Sequence, residues 1–212
     1  MNRTAAAALA LMLAAPARAE VPSVLGGKLV PAGTTAHHVA VGVPGLFYEW
    51  WNGGWDFDWA GHVGIVYEDW SGAWSDVDVG LELELPMRYR VAGTDAAQVA
   101  LRIAPGLLVA DAGSTVLGIR ADAGALVSID VHPRANLVTG GTVPFTILLV
   151  SGGDTGLILP VLGRLGLESF ASNDFAVSLL LEVGPTFLLS DHGGNDSSRL
   201  GARFWVGATF YM

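Results

Sequence analysis

The run Asp76-Val-Asp-Val-Gly-Leu-Glu-Leu-Glu-Leu-Pro-Met-Arg-Tyr-Arg-Val91 decides the fold class. Val77, Val79, Leu81, Leu83, Leu85, Met87 and Tyr89 fall on one side of an extended chain, and Asp78, Gly80, Glu82, Glu84, Pro86, Arg88 and Arg90 on the other. Side chains alternate strictly along a strand, so this segment has one apolar wall and one charged wall; at a helical period the two sets would mix. Similar alternation recurs near 37–48, 55–70, 97–110, 116–131, 136–150, 157–170, 174–189 and 199–212, between short clusters of Gly, Asp, Asn and Ser. No linker or change of composition divides these segments, which predicts one all-β domain.

Length and composition narrow the architecture. Strands of soluble sheets average about 5–6 residues, and these segments run to twice that. Hydrophobic residues make up 51% of the chain and the mean hydropathy is +0.47. Even so, Gly152-Gly153-Asp154 and Pro160 interrupt the longest apolar runs, so no membrane helix is legible beyond the opening residues. A chain that satisfies every backbone polar group in lipid without helices must close into a barrel. The expected fold is an antiparallel up-and-down transmembrane β-barrel. Bacterial barrels carry an even strand number, and nine segments are legible. Val24–Val30 read as a short first strand gives ten, preferred here to eight, in which one segment does not span. A soluble, ligand-binding β-sandwich is the rival for an alternating sequence.

The opening residues read as a cleaved secretory signal peptide over 1–19: Arg3, an apolar stretch from Ala5 to Ala15, and a small-x-small end at Ala17-Arg18-Ala19. That stretch is shorter than the ~20 residues a membrane anchor needs. Residues 20–36 then form an N-terminal segment and 37–212 the barrel domain. The formal charge of −9 becomes two units more negative when Arg3 and Arg18 leave, which argues against nucleic acid as a partner. Cysteine is absent, excluding disulfides and thiolate metal sites. No cofactor is expected.

With the apolar face outward, parity assigns a lumen charge network. Its acids are Asp78, Glu82, Glu84, Asp122, Glu168 and Glu182, with Asp56, Asp58 and Asp130 on the same face. Its bases are Arg88, Arg90, Arg102, Arg120, Arg164 and Arg203. Charges in a partly dry lumen are costly unless paired, so mutual bridging is the expected arrangement. The excess of acids also suits a narrow cation-favouring channel.

Aromatic residues mark the membrane interfaces. Trp55, Phe57 and Trp59 oppose Tyr67 in one segment, Phe175 and Phe187 bracket another, and Phe204 and Phe210 belong to the last. Trp50, Trp51, Trp70 and Trp74 complete a tryptophan cluster with Trp55 and Trp59, read as interface anchors. Catalytic candidates are few. His62 shares the inner face with Asp58, but no serine stands at a recognisable offset. His37 and His38 point to opposite sides of a strand and cannot clamp one metal. Asp191, His192, Asn195 and Asp196 read as solvated turn residues.

Together with the Ala17-Arg18-Ala19 end of the leader and the alternating strands, the terminal Arg203-Phe-Trp-Val-Gly-Ala-Thr-Phe-Tyr-Met212 resembles the small Gram-negative outer-membrane β-barrels, the class of OmpA-like and OmpX-like proteins. The resemblance covers most of the mature chain. It implies outer-membrane localisation, lipid as the surrounding partner, and an aromatic C-terminus read by the barrel assembly machinery. Met212 departs from the usual final aromatic. Members of the class serve as anchors, adhesins, narrow porin-like pores or lipid enzymes, so membership fixes no activity. The expected function is a structural or interaction role with a largely closed lumen and no enzymatic activity.

Overall fold

The computed structural model describes residues 21–67, 79–111, 115–150, 155–190 and 197–212. The leader, Asp78, Trp70, Trp74, Asp191, His192, Asn195 and Asp196 lie outside them. The described residues contain strands and no helix: β1 (Thr35–Val43), β2 (Gly45–Asn52), β3 (Phe57–Val66), β4 (Val79–Glu84), β5 (Met87–Gly93), β6 (Ala97–Asp111), β7 (Thr115–His132), β8 (Ala135–Val150), β9 (Thr155–Pro160), β10 (Leu162–Phe170), β11 (Phe175–Ser190) and β12 (Ser197–Tyr211).

All strand pairs are antiparallel, and the sheet closes where β1 pairs with β12, from Ala36 opposite Tyr211 to Val43 opposite Phe204. β4 and β5 together occupy one position between β3 and β6; β9 and β10 share another between β8 and β11. Twelve segments thus make a 10-strand barrel. The two interruptions lie at prolines, which lack the amide a ladder needs. At each, neighbouring groups keep the wall continuous: Pro86 accepts from the Ala60 amide at 2.7 Å, and the Val161 amide donates to Pro185 at 2.8 Å. Closure rules out the β-sandwich.

The tenth strand has a different origin from the one the sequence suggested. Residues 37–48 are two strands, folded back at Val43-Pro44-Gly45, and inward parity changes there from even (Ala36, His38, Ala40) to odd (Phe47, Glu49, Trp51). Val24–Val30 forms no strand; it is buried without a place in the sheet.

Alternation along the wall is close to strict. On β11, Val177, Leu179, Leu181 and Val183 are 39–46% exposed, whereas Ala176, Ser178, Leu180 and Glu182 are at most 5% exposed. Outward apolar rows of this kind run along β6, β7, β10 and β12 as well, and the charged and small residues face in. One end of the barrel carries the turns at 53–56, 94–96, 133–134 and 171–174, together with Thr35 and Met212. This is the turn end of the barrel.

Candidate functional site in the barrel lumen

Residues 21–30 fill the lumen at the turn end, with Ser23 to Val30 all buried. A buried chain that joins no sheet must find partners for its amides and carbonyls elsewhere. Side chains rooted in the wall supply them. Glu168 on β10 accepts from the amides of Val24 (3.0 Å) and Leu25 (3.3 Å) and from the Ser23 hydroxyl. Asn136 donates to the Pro22 carbonyl at 2.9 Å, Arg164 to Leu25 at 3.1 Å and Arg88 to Gly26 at 2.8 Å. Ser128 accepts from the Lys28 amide at 3.2 Å and Asp58 from the Val30 amide at 2.9 Å. The Lys28 ammonium meets Asp130 at 2.6 Å. Val24, Leu25 and Val30 pack with Trp51, Val138, Leu180 and Tyr211 in the main apolar cluster.

The two glycines of this plug permit its fit. A side-chain carbon on Gly27 would stand 2.6 Å from the Leu126 carbonyl oxygen and closer still to that of Gln98, both fixed in the β6–β7 ladder. One on Gly26 would collide with the Ser128 hydroxyl.

Above the plug lies a layer of ion pairs. Arg120 bridges Glu82 and Glu84, the latter at 3.4 Å; Arg102 meets Asp122 at 2.9 Å and Glu84 at 4.0 Å; Arg164 meets Glu182 at 2.7 Å. His62 contacts Glu49 with one ring nitrogen and Glu82 with the other, each at 3.2 Å. Between plug and layer is a cavity of about 90 Å³, floored by Val24 and Leu25 and reached by Arg203, space for a few waters.

The parity assignment therefore places Glu82, Glu84, Arg88, Arg102, Arg120, Asp122, Arg164, Glu168, Glu182 and Arg203 in the interior. One of them does other work than the expected mutual bridging: Glu168 holds the plug. Arg88 bridges Asp58 as expected, and in addition donates to the plug and stacks 4.1 Å over the Trp51 ring. Arg90 does not belong to the lumen. It pairs with Asp56 at 2.7 Å on the exposed rim, because β5 is bulged beyond Arg90 and the 53–56 turn ends the inner face there. Glu49 and Lys28 were missed from the sequence, and His38 was weighed only as a metal ligand. Glu49 lies past the end of the supposed 37–48 strand, and Lys28 lies in a supposed strand with no assigned face.

His62 is on the inner face but not with Asp58, whose carboxylate is taken by Arg88 and the Val30 amide. The nearest approach to a nucleophile set is another: Ser178 lies 3.4 Å from His38 Nε2, and His38 Nδ1 lies 3.6 Å from Glu49. The serine is 140 residues from the histidine, beyond any local motif. All three side chains are buried, Phe47 packs edge-on against His38, and Ser178 stands in paired register with Glu168 and Gly207. No open face for an acyl substrate adjoins this serine among the described residues.

Outward aromatics follow the expectation in part. Phe57, Trp59 and exposed Trp55 stand at the turn end, as do Phe175 and Phe210, with ring centroids 4.8 Å apart; Tyr67 and Phe187 are toward the other end. Tyr67 donates to the Gly42 carbonyl at 2.7 Å, beside the Pro44 hairpin. Phe204 faces outward, paired on one side with Leu181 in the middle of β11 and on the other with Val43, the last residue of β1 beside the Pro44 hairpin. Trp51 faces inward, unlike its neighbour Trp50, which lies outside over Gly61.

No family model matches the chain, and no curated protein does. Among solved structures it is similar to the outer membrane protease OmpT from Escherichia coli, at 8% sequence identity and a TM-score of 0.36, over 87% of this chain and 98% of that one.

Proposed function

We propose that this chain is an integral outer-membrane β-barrel protein with a structural or interaction role, a resting lumen closed by its own N-terminal segment and ion pairs, and no enzymatic activity. One observation carries the reading. Large apolar side chains stand exposed in continuous rows around the outside, while the charges point inward. Water-soluble proteins rarely expose apolar patches beyond a few hundred Å², whereas a surface of this kind is what hydrocarbon requires. The turn end is then periplasmic, in keeping with short periplasmic turns and both termini on that side. Lipid is the surrounding partner, and the assembly machinery reads the C-terminal strand.

The absence of catalysis is supported by the enclosure of Ser178, His38 and Glu49, and by the engagement of His62 in carboxylate contacts on both sides. The test is fractionation with gel mobility. The protein stays with outer membranes through carbonate and urea washes, and unboiled samples migrate differently from boiled ones. Release by those washes as a soluble protein overturns the reading.

A further inference from the structure

We propose that residues 21–30 are a detachable stopper: the segment leaves and re-enters the lumen as a unit, and with it gone small ions cross through the hydrated ion-pair layer that remains. The inference rests on the membrane reading above.

Three features carry it. First, the wall closes without the segment. Every strand pair of the described sheet joins β1 to β12 among themselves, so withdrawal breaks no ladder. Second, part of the grip keeps a wall partner when the segment goes: Arg88 and Asp58 retain each other and Arg164 retains Glu182, while Glu168 and Asp130 give up the donors of Ser23, Val24, Leu25 and Lys28. The vacated space is thus lined by charges ready to hydrate, the two freed carboxylates among them, beside the apolar patch of Trp51, Val138, Leu180 and Tyr211. Third, the segment is tied to β1 by an exposed link, Pro31-Ala32-Gly33, in which Gly33 adopts φ +79° with open space around it. That left-handed conformation suits glycine, and the link is fastened outside the lumen, the Gly33 amide donating to the Gly53 carbonyl at 3.4 Å and the Thr34 amide to that of Pro31 at 3.0 Å, so it can stay in place while residues 21–30 leave.

Departure has a definite consequence. Val24 and Leu25 form the floor of the mid-lumen cavity, so removing them joins that cavity to the turn end of the barrel.

The chain's lack of cysteine makes the test direct. A side chain on Gly26 points at the Ser128 hydroxyl, so cysteines at both positions fall within disulfide reach. Gly26→Cys/Ser128→Cys full-length protein, reconstituted in planar bilayers, is expected to be silent when oxidised. After reduction it should show openings at least ten-fold more frequent. Equal activity in the oxidised and reduced states, whether both silent or both conducting, overturns the proposal. Gly27→Val provides an independent arm, because its side chain meets two fixed carbonyls. It is expected to raise conductance while keeping the folded gel mobility; a folded, silent Gly27→Val barrel contradicts the proposal. Protein that never acquires heat-dependent mobility or enters bilayers refutes the membrane reading instead.

Discussion

The Glu168 carboxylate accepts the backbone amide of Val24 at 3.0 Å, across 144 residues of sequence. The same side chain takes the Leu25 amide and the Ser23 hydroxyl, so one wall residue fixes three consecutive donors of the plug. Glu168→Ala leaves these buried donors without an acceptor, at about 1–3 kcal/mol for each group left unsatisfied. Amide exchange at Val24 and Leu25 should then accelerate at least ~ten-fold, since about 1.4 kcal/mol is a factor of ten, with β11 amides unaffected. Mass-resolved hydrogen exchange on the folded barrel measures both; unchanged protection at 24 and 25 would show that Glu168 is not the anchor.

Asp58 ties the plug to the wall through charge. Its carboxylate meets Arg88 at 3.0 Å and the Val30 amide at 2.9 Å, and both charged side chains are wholly enclosed. Removing one member of such a pair strands the other charge in the interior, so Asp58→Ala should lower stability by about 3–5 kcal/mol. Urea titration of the protein folded in vesicles checks this, and a loss below about 1 kcal/mol would mean that Arg88 finds another partner or water.

How much of this was legible beforehand follows from where the controlling contacts lie. Alternation from β4 to β12 depends only on neighbours in sequence, so inward Glu82, Glu84, Arg102 and Arg120 could be read directly by parity. Three residues at Val43-Pro44-Gly45 reverse the chain without a polar loop, and so one supposed strand hid a hairpin and concealed Glu49. The plug was less accessible still. Val24–Val30 looks strand-like because it is apolar, but its position depends on bonds to Ser128, Arg164 and Glu168, a hundred residues or more away. Local pattern carries no record of such pairings. The same holds for Ser178 beside His38.

Leu181 occupies the middle of the outward row on β11, between Phe175 and Phe187, and is 42% exposed. An arginine facing lipid at mid-depth costs ~2–4 kcal/mol. Leu181→Arg should reduce folding into vesicles by that amount, read from the urea midpoint, whereas Leu181→Phe should have little effect. Equal behaviour of the two variants would mean that this face does not meet hydrocarbon.

The last residues close the seam. Thr35 and Met212 exchange backbone hydrogen bonds at 2.9 and 2.8 Å, and Tyr211 and Phe210 pair with Ala36 and His37. Deleting Phe210–Met212 removes these contacts together with the Phe175–Phe210 packing. The expected outcome is loss of the folded, heat-sensitive gel species in outer membranes; undiminished yield would show that neither the seam nor the terminal pattern is needed for assembly.

Spin labels at single cysteines along β11 report directly which wall of the barrel meets lipid, because the native chain has no cysteine to remove. In reconstituted vesicles, labels at 177, 179, 181 and 183 should collide readily with oxygen, which concentrates in hydrocarbon, and weakly with a water-soluble nickel reagent. Labels at 176, 178, 180 and 182 should be shielded from oxygen. Odd positions open to the nickel reagent, or no alternation at all, would contradict the account.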